Sequence, residues 1–304
     1  MSVKVRTKGA EKAGWQRSLA SRTPKSIILG AVAWLNFSAN ATAPPVSHFG
    51  EIRMKDYIKT NWKFLLFVLC SGLIGGYCTG LYLPEMYSQE MLQQLQEQGM
   101  TTEMLALSGA VQYGIIYGLI LATAGVIISK KVRLWKEFRF DKNAVAVTAI
   151  ITIIAALCLF PGDKLIFGSF SSWVNDLYHV SPGLPKIVSG LLVGGVVEEV
   201  MMRLFFMSLL ALIISKLICK NEKDIPVKVF AAANIISALL FAAGHLPATM
   251  AMTTLTPVLL FRCFLFNGGL GLCFGWLYRK YGIGYAMIAH GAAHLISDLL
   301  MIIF

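Results

Sequence analysis

Three short stretches of this chain set ionisable side chains inside otherwise apolar sequence. Val196 to Arg203 carries Glu198, Glu199 and Arg203; Phe241 to Pro247 carries His245; His290 to Asp298 carries His290, His294 and Asp298. A charge near the centre of a bilayer costs at least ~2.5–3.5 kcal/mol on insertion scales, so such residues are functional candidates by default. Glu199 and Arg203 are four apart, lie on one helical face and can pair. Glu198 points about 100° away and has no partner on its own helix. A carboxylate left free in a low dielectric is suited to general acid–base work. The structural alternative is two ion pairs, with Arg262 serving Glu198.

His245 stands near a helix end, where an imidazole is commonly satisfied by backbone or water. His290, His294 and Asp298 follow at four-residue steps along one helix face, with Gly291, Ala292 and Ala293 leaving room beside them. Two His at i and i+4 can hold a metal ion jointly, or the stripe can bond to neighbouring helices. Three of the chain's five His fall in these motifs; His48 and His179 fall in loops.

The elements that must position these groups are membrane helices. The chain is 56% hydrophobic and 14% charged, against about 25% charged in ordinary soluble domains. Its charges cluster between apolar runs of the length that spans a hydrocarbon core as a helix. Seven spans are expected, at roughly 62–83, 106–129, 143–160, 187–214, 229–247, 255–277 and 283–303. The fold class is therefore an all-α, polytopic transmembrane bundle.

The net charge of +11 is a topology signal rather than a nucleic-acid footprint. The second, fourth and sixth connections are rich in Lys and Arg, for example Lys130, Lys131, Arg133, Lys136, Arg139 and Lys142 in the second. The first, 84–105, has four Glu and no Lys or Arg, and the fifth has no charge. By the positive-inside rule the N-terminus is cytoplasmic and the C-terminus outside, and the basic loops meet anionic lipid heads.

Residues 1–53 form a separate region, basic and rich in Ser, Thr and Ala, and are expected to be a disordered extension. Ile27 to Phe37 before Ala39-Asn40-Ala41 also has the look of a signal peptide, and Met54 would serve as a natural start. Residues 54–184 supply the first three spans and their loops, and 185–304 the core that carries the motifs. Five of the six cysteines lie in apolar spans, Cys219 lies at a span end, and none form a C-x-x-C pair, so a zinc–thiolate site is not expected. Glycines at four-residue spacing (Gly72, Gly76 and Gly80; Gly114 and Gly118; Gly190 and Gly194; Gly271 and Gly275) mark close helix packing.

Glu-Glu-x-x-x-Arg at 198–203, Phe-x-x-x-His at 241–245 followed by Leu246-Pro247, and His290 in a later span resemble, in order and spacing, the motifs of the CPBP family. That family comprises type II CAAX prenyl proteases and bacteriocin-processing or immunity (Abi) proteins. The resemblance covers roughly 185–304. It implies an intramembrane endopeptidase in which Glu198 is the catalytic base and His245 orients the attacking water. His290 and the residue four further on stabilise the oxyanion. The family usually has Asn at that last position; here it is His294, which can donate a hydrogen bond as an amide does or bind a metal. Family members are described both as metalloproteases and as metal-independent glutamate proteases. A divalent ion such as zinc on His245, His290 and His294 and a metal-free mechanism therefore both stay open.

The implied partners are a peptide or protein substrate, membrane-associated or not, and membrane lipids; no nucleic acid is implied. A non-catalytic immunity or binding protein on the same fold is the alternative function. A proton-relay transporter would show an inverted repeat, and none is visible. Straight helices leave one tension. At ~1.5 Å per residue, Glu198 falls near mid-membrane, His245 near the outer end and His290 in the inner third, although a site needs them together.

Overall fold

In a computed structural model of the chain, residues 54–218 and 225–304 are described. The basic segment 1–53, with its expected disorder, and Cys219, Lys220 and Lys223 lie outside the described residues. Among the described residues every regular element is helical. Seven helical segments are long and apolar enough to cross a membrane: Thr60–Met86, Thr102–Lys131, Lys142–Ile166, Leu184–Ile218, Val227–Met252, Pro257–Tyr281 and Ile283–Ile303. They are called spans one to seven below. All seven expected segments are present, each longer than or equal to its apolar run, because polar caps rather than the last apolar residue set the ends. Thr101 accepts from Met104 N, Asp141 from Ala144 N, and Thr256, ahead of Pro257, from Leu259 N.

Large apolar side chains stand exposed along the spans, such as Ile150, Ile153, Ile154 and Leu157 on span three, each at least half exposed. In a seven-span protein this surface faces lipid. The interior is built from small residues and polar ties. Gly76 and Gly109 approach so closely that a Cβ on either would run into the other's carbonyl, and Gly72 and Gly80 meet Tyr113 and Ala106 in the same way. This seam locks span one against span two. Thr79 and Ser189 hydroxyls meet at 2.6 Å between spans one and four. Ser208 and Tyr278 hydroxyls meet at 2.9 Å between spans four and six, and Asn234 Nδ2 donates to Leu272 O at 3.1 Å between spans five and six. Where water is absent, each such pair satisfies groups that would otherwise be orphaned.

Span seven sits innermost: half of it is buried, the largest share of any span. It packs on spans three, four and six. Its crossing with span four is set at Gly195, where a Cβ would stand 2.9 Å from Gly291 N, so two glycines let the backbones touch. Gly282, at φ +102°, is the sole link between spans six and seven, in a backbone region that favours glycine. Lys136, from the connection after span two, closes this corner by donating to the carbonyls of Arg279 and Lys280, both at 2.8 Å. Burial, then the neighbouring Lys280 and Arg279, pulls the Lys136 amine below its ordinary pKa.

At the other end of the bundle lies the connection after span three, with a short helix Ser172–Leu177. It is anchored by Tyr178, whose hydroxyl donates to Asp163 Oδ2 at 2.5 Å. Burial and then Asp163 push the Tyr178 phenol above its ordinary range, so it stays a donor. Arg262 of span six donates to the same carboxylate, from Nε to Oδ1 at 2.6 Å and from Nη2 to Oδ2. Arg262 is thus engaged by Asp163, which corrects the alternative in which it serves Glu198. Asp163, at 1% exposure, is the deeper of the two acids and has two oxygens to match the guanidinium fork.

Candidate active site

The close crossing at Gly195 and Gly291 brings one turn of span four against one turn of span seven. Glu199 Oε1 then accepts from His290 Nδ1 at 2.8 Å and pairs with Arg203 Nη1 at 3.1 Å. Glu199 and Arg203 are fully buried, at 0% and 2% exposure, as the four-residue spacing predicts. The partnership with His290, 91 positions away, was not legible from the spacing. Arg203 also donates from Nη2 to Gly271 O at 3.2 Å and lies over the faces of Phe241, at 4.7 Å, and Phe274, at 5.8 Å. Gly271 is small because a Cβ there would come within 3.2 Å of that Nη2. Phe274 stacks on His290 at 4.6 Å, and Phe241 stands edge-on to it. The guanidinium is thus held by one carboxylate, one carbonyl and two ring faces.

The proton inventory follows from these contacts. With Nδ1–H committed to Glu199, His290 presents an unprotonated Nε2. His294 Nε2 lies 3.2 Å from it and can donate to it, and the two rings stack at 5.0 Å. His294 has room because residues 190 and 194 are glycines; a Cβ on Gly194 would stand 2.9 Å from His294 Cδ2. Gly190 and Gly194 thus make space for a ring, whereas Gly195 makes space for a backbone. Asp298, one turn on, pairs with Lys186 at 3.3 Å.

Glu198 has no hydrogen bond or ion pair among the described residues. It lines a cavity of about 530 Å³ together with His245, His290, His294 and Asp298. Span five runs to Met252, past its expected end at 247, so His245 lies well inside the span and the depth conflict falls away. The span-five helix ends at Gly244, and His245 caps it while also starting the short helix Leu246–Met252. The cavity is also tall, reaching from His290 to Leu83 and Met252. His245 Nδ1 donates to Phe241 O at 2.8 Å and its ring packs on the Phe241 ring at 4.6 Å. That bond fixes the tautomer and leaves Nε2 as an acceptor. The Phe of Phe-x-x-x-His therefore does three things: its carbonyl orients His245, and its ring supports both His245 and Arg203.

Tyr82, Tyr113, Tyr117 and Asn267 add polar groups to the same wall. The sequence reading passed over them. The available signal was weak, namely Gln112, Tyr113 and Tyr117 recurring inside an apolar span. As for a metal, among the described residues no three His, Cys, Asp or Glu side chains are grouped closely enough to hold one. The 3.2 Å between the two Nε2 atoms suits a shared proton. It also suits two ligands of a tetrahedral ion, whose nitrogens lie about 3.3 Å apart when each is ~2.0–2.1 Å from the metal. A pair alone does not complete such a site.

Fold and site together define a multi-pass membrane protein with an acid–imidazole cavity between its helices. Residues 180–296 match the family described as type II CAAX prenyl endopeptidase Rce1-like. This is the same stretch whose motifs resemble the CPBP family. No curated protein and no solved structure matches the chain.

Proposed function

We propose that this protein is an intramembrane endopeptidase that hydrolyses a peptide bond with a water activated by Glu198. The observation that carries the reading is the contrast inside one Glu-Glu pair. Glu199 is spent on Arg203 and His290, whereas Glu198 is unpartnered on a cavity wall that also presents the free Nε2 of His245.

A water between these two acceptors donates one hydrogen to each, and its lone pair is left for the scissile carbonyl. As the oxygen–carbon bond forms, Glu198 takes the proton. The carbonyl oxygen becomes an oxyanion and accepts the Nε2–H of His294, which turns to it from His290 Nε2, while His290 stays fixed by its bond to Glu199. Collapse breaks the carbon–nitrogen bond, and the proton on Glu198 passes to the leaving amine. If a divalent ion takes part, His245, His290 and His294 are its candidates, and it would supply Lewis-acid polarisation of the carbonyl.

The test is proteolysis of a peptide library by purified protein in detergent, wild type beside Glu198→Gln, with and without chelator. Cleavage by wild type that Glu198→Gln loses supports the proposal. A fully active Glu198→Gln removes the general base. No cleavage by wild type, with binding of peptides retained, favours the immunity or binding alternative. Chelator-abolished activity moves the mechanism to the metal-dependent form.

A further inference from the structure

The cavity that holds Glu198 adjoins a second one of about 470 Å³, and the two share Tyr82, Lys186, His294 and Asp298 as walls. The second cavity lies under the connection after span three. Its wall includes Trp173, Leu177, Val180 and Met301, with Lys186 and Asp298 where it meets the first. Val180 is 71% exposed and the adjoining Leu184 73%, so this wall reaches the surface.

The lining residues at the ends of spans come from the ends joined by the first, third and fifth connections and from the last turn of span seven. Among the described residues, neither cavity is lined by a residue of the three connections in which Lys and Arg concentrate. The basic end has a separate concavity around Lys136, Arg139 and Lys280. The positive-inside rule assigns that basic end to the cytoplasm.

We infer that substrate reaches Glu198 from the extracytoplasmic face, and that the outer cavity seats an apolar side chain beside the scissile bond. The substrate class is then an exported peptide, or the outward-facing part of a membrane protein, with an apolar residue next to the cleavage point. The wall chemistry gives the apolar preference, since Trp173, Leu177, Val180 and Met301 offer a bulky side chain a place out of water. The inference rests on the proteolytic reading for the word substrate, and on charge placement and the position of both cavities at the non-basic end for the side.

The experiment uses full-length protein in spheroplasts and in inverted vesicles of an expression host. Membrane-impermeant quenched peptides carry Leu or Phe at one position beside an otherwise polar sequence. Expected is cleavage by spheroplasts, little by inverted vesicles, and at least a tenfold preference for the apolar-flanked peptides over an all-polar one. Trp173→Ala should raise KM for those peptides with kcat nearly kept. Cleavage confined to inverted vesicles, with activity in detergent intact, overturns the access side while leaving the protease reading standing. Equal cleavage of all-polar peptides overturns the apolar subsite.

Labelling with an impermeant thiol reagent gives a readout independent of activity. Tyr82→Cys, compared with the parent chain, should gain label from outside, alongside Leu95→Cys, while Lys136→Cys is spared. Labelling of Tyr82→Cys from the inverted side alone overturns the inference even if no peptide is ever cleaved. Absence of cleavage in detergent counts against the protease reading instead.

Discussion

Two buried arginine–carboxylate pairs occur among the described residues, and they are built differently. Asp163 meets Arg262 through both oxygens and takes the Tyr178 hydroxyl as well. Glu199 meets Arg203 and His290 through one oxygen, and its Oε2, buried, has no partner. The first pair is saturated and ties the ends of spans three and six to the segment over the outer cavity. The second is left half-satisfied, and its guanidinium leans on two aromatic faces. A saturated carboxylate holds parts together. A carboxylate that shares one oxygen between an arginine and an imidazole fixes how that imidazole is protonated, which is a chemical task. The cost of an orphaned buried oxygen, about 1–3 kcal/mol, is tolerated where it sets up such a task.

The largest effect is expected at the acid that neither pair engages. Glu198→Gln should lower the rate of peptide cleavage roughly 10²–10⁴-fold with the thermal unfolding midpoint unchanged, because an amide is easier to bury than a carboxylate. An unfolded Glu198→Gln would mean that Glu198 is a third structural acid and that the comparison is drawn in the wrong place.

Next come the pairs themselves. Arg203→Ala and Arg262→Ala should each cost about 3–5 kcal/mol of stability, since each strands a buried carboxylate. The paired replacements separate the two roles. Asp163→Leu with Arg262→Met should recover a folded protein that still cleaves. Glu199→Gln with Arg203→Met should recover folding without activity. If both doubles are active, the distinction between a tie and a chemical support is lost.

A smaller effect is expected at His294. If it donates to the oxyanion, His294→Asn keeps much of the activity and His294→Ala loses roughly 10²–10³-fold. If it binds metal, Asn and Ala fail alike and chelation abolishes wild-type turnover. The smallest effect belongs to Tyr178→Phe, which removes one hydrogen bond to a charged acceptor, worth about 1.5–3 kcal/mol. That should appear in the unfolding midpoint and leave kcat unchanged.

Much of this was legible in the sequence, and the limits are instructive. Seven spans followed from run length and charge placement, because the bilayer imposes one dimension on every helix. The Glu199–Arg203 pair followed from a spacing of four. His290 joining that pair did not, because the contact depends on how two helices cross, and the crossing is set by Gly195 and Gly291 together. Gly195 does not belong to the four-residue glycine series at 190 and 194. Asp163 and Arg262 likewise sit on different spans 99 positions apart, with no spacing rule to link them. The depth conflict over His245 arose from ending span five at residue 247, whereas it runs on to Met252 and sets His245 well inside its end.

The one-residue link at Gly282 has a mechanical consequence. Two rods pinned together at one end cannot slide past each other; they can only swing. Phe274 and His290, stacked across those two rods, must therefore keep their register whatever the rest of the bundle does. Lys136 on the carbonyls of Arg279 and Lys280 stiffens the pin. Any widening between spans six and seven has its fulcrum there and its greatest travel at the far tips, around Pro257 and Ile303. Those tips lie at the end of the bundle where both cavities reach the surface.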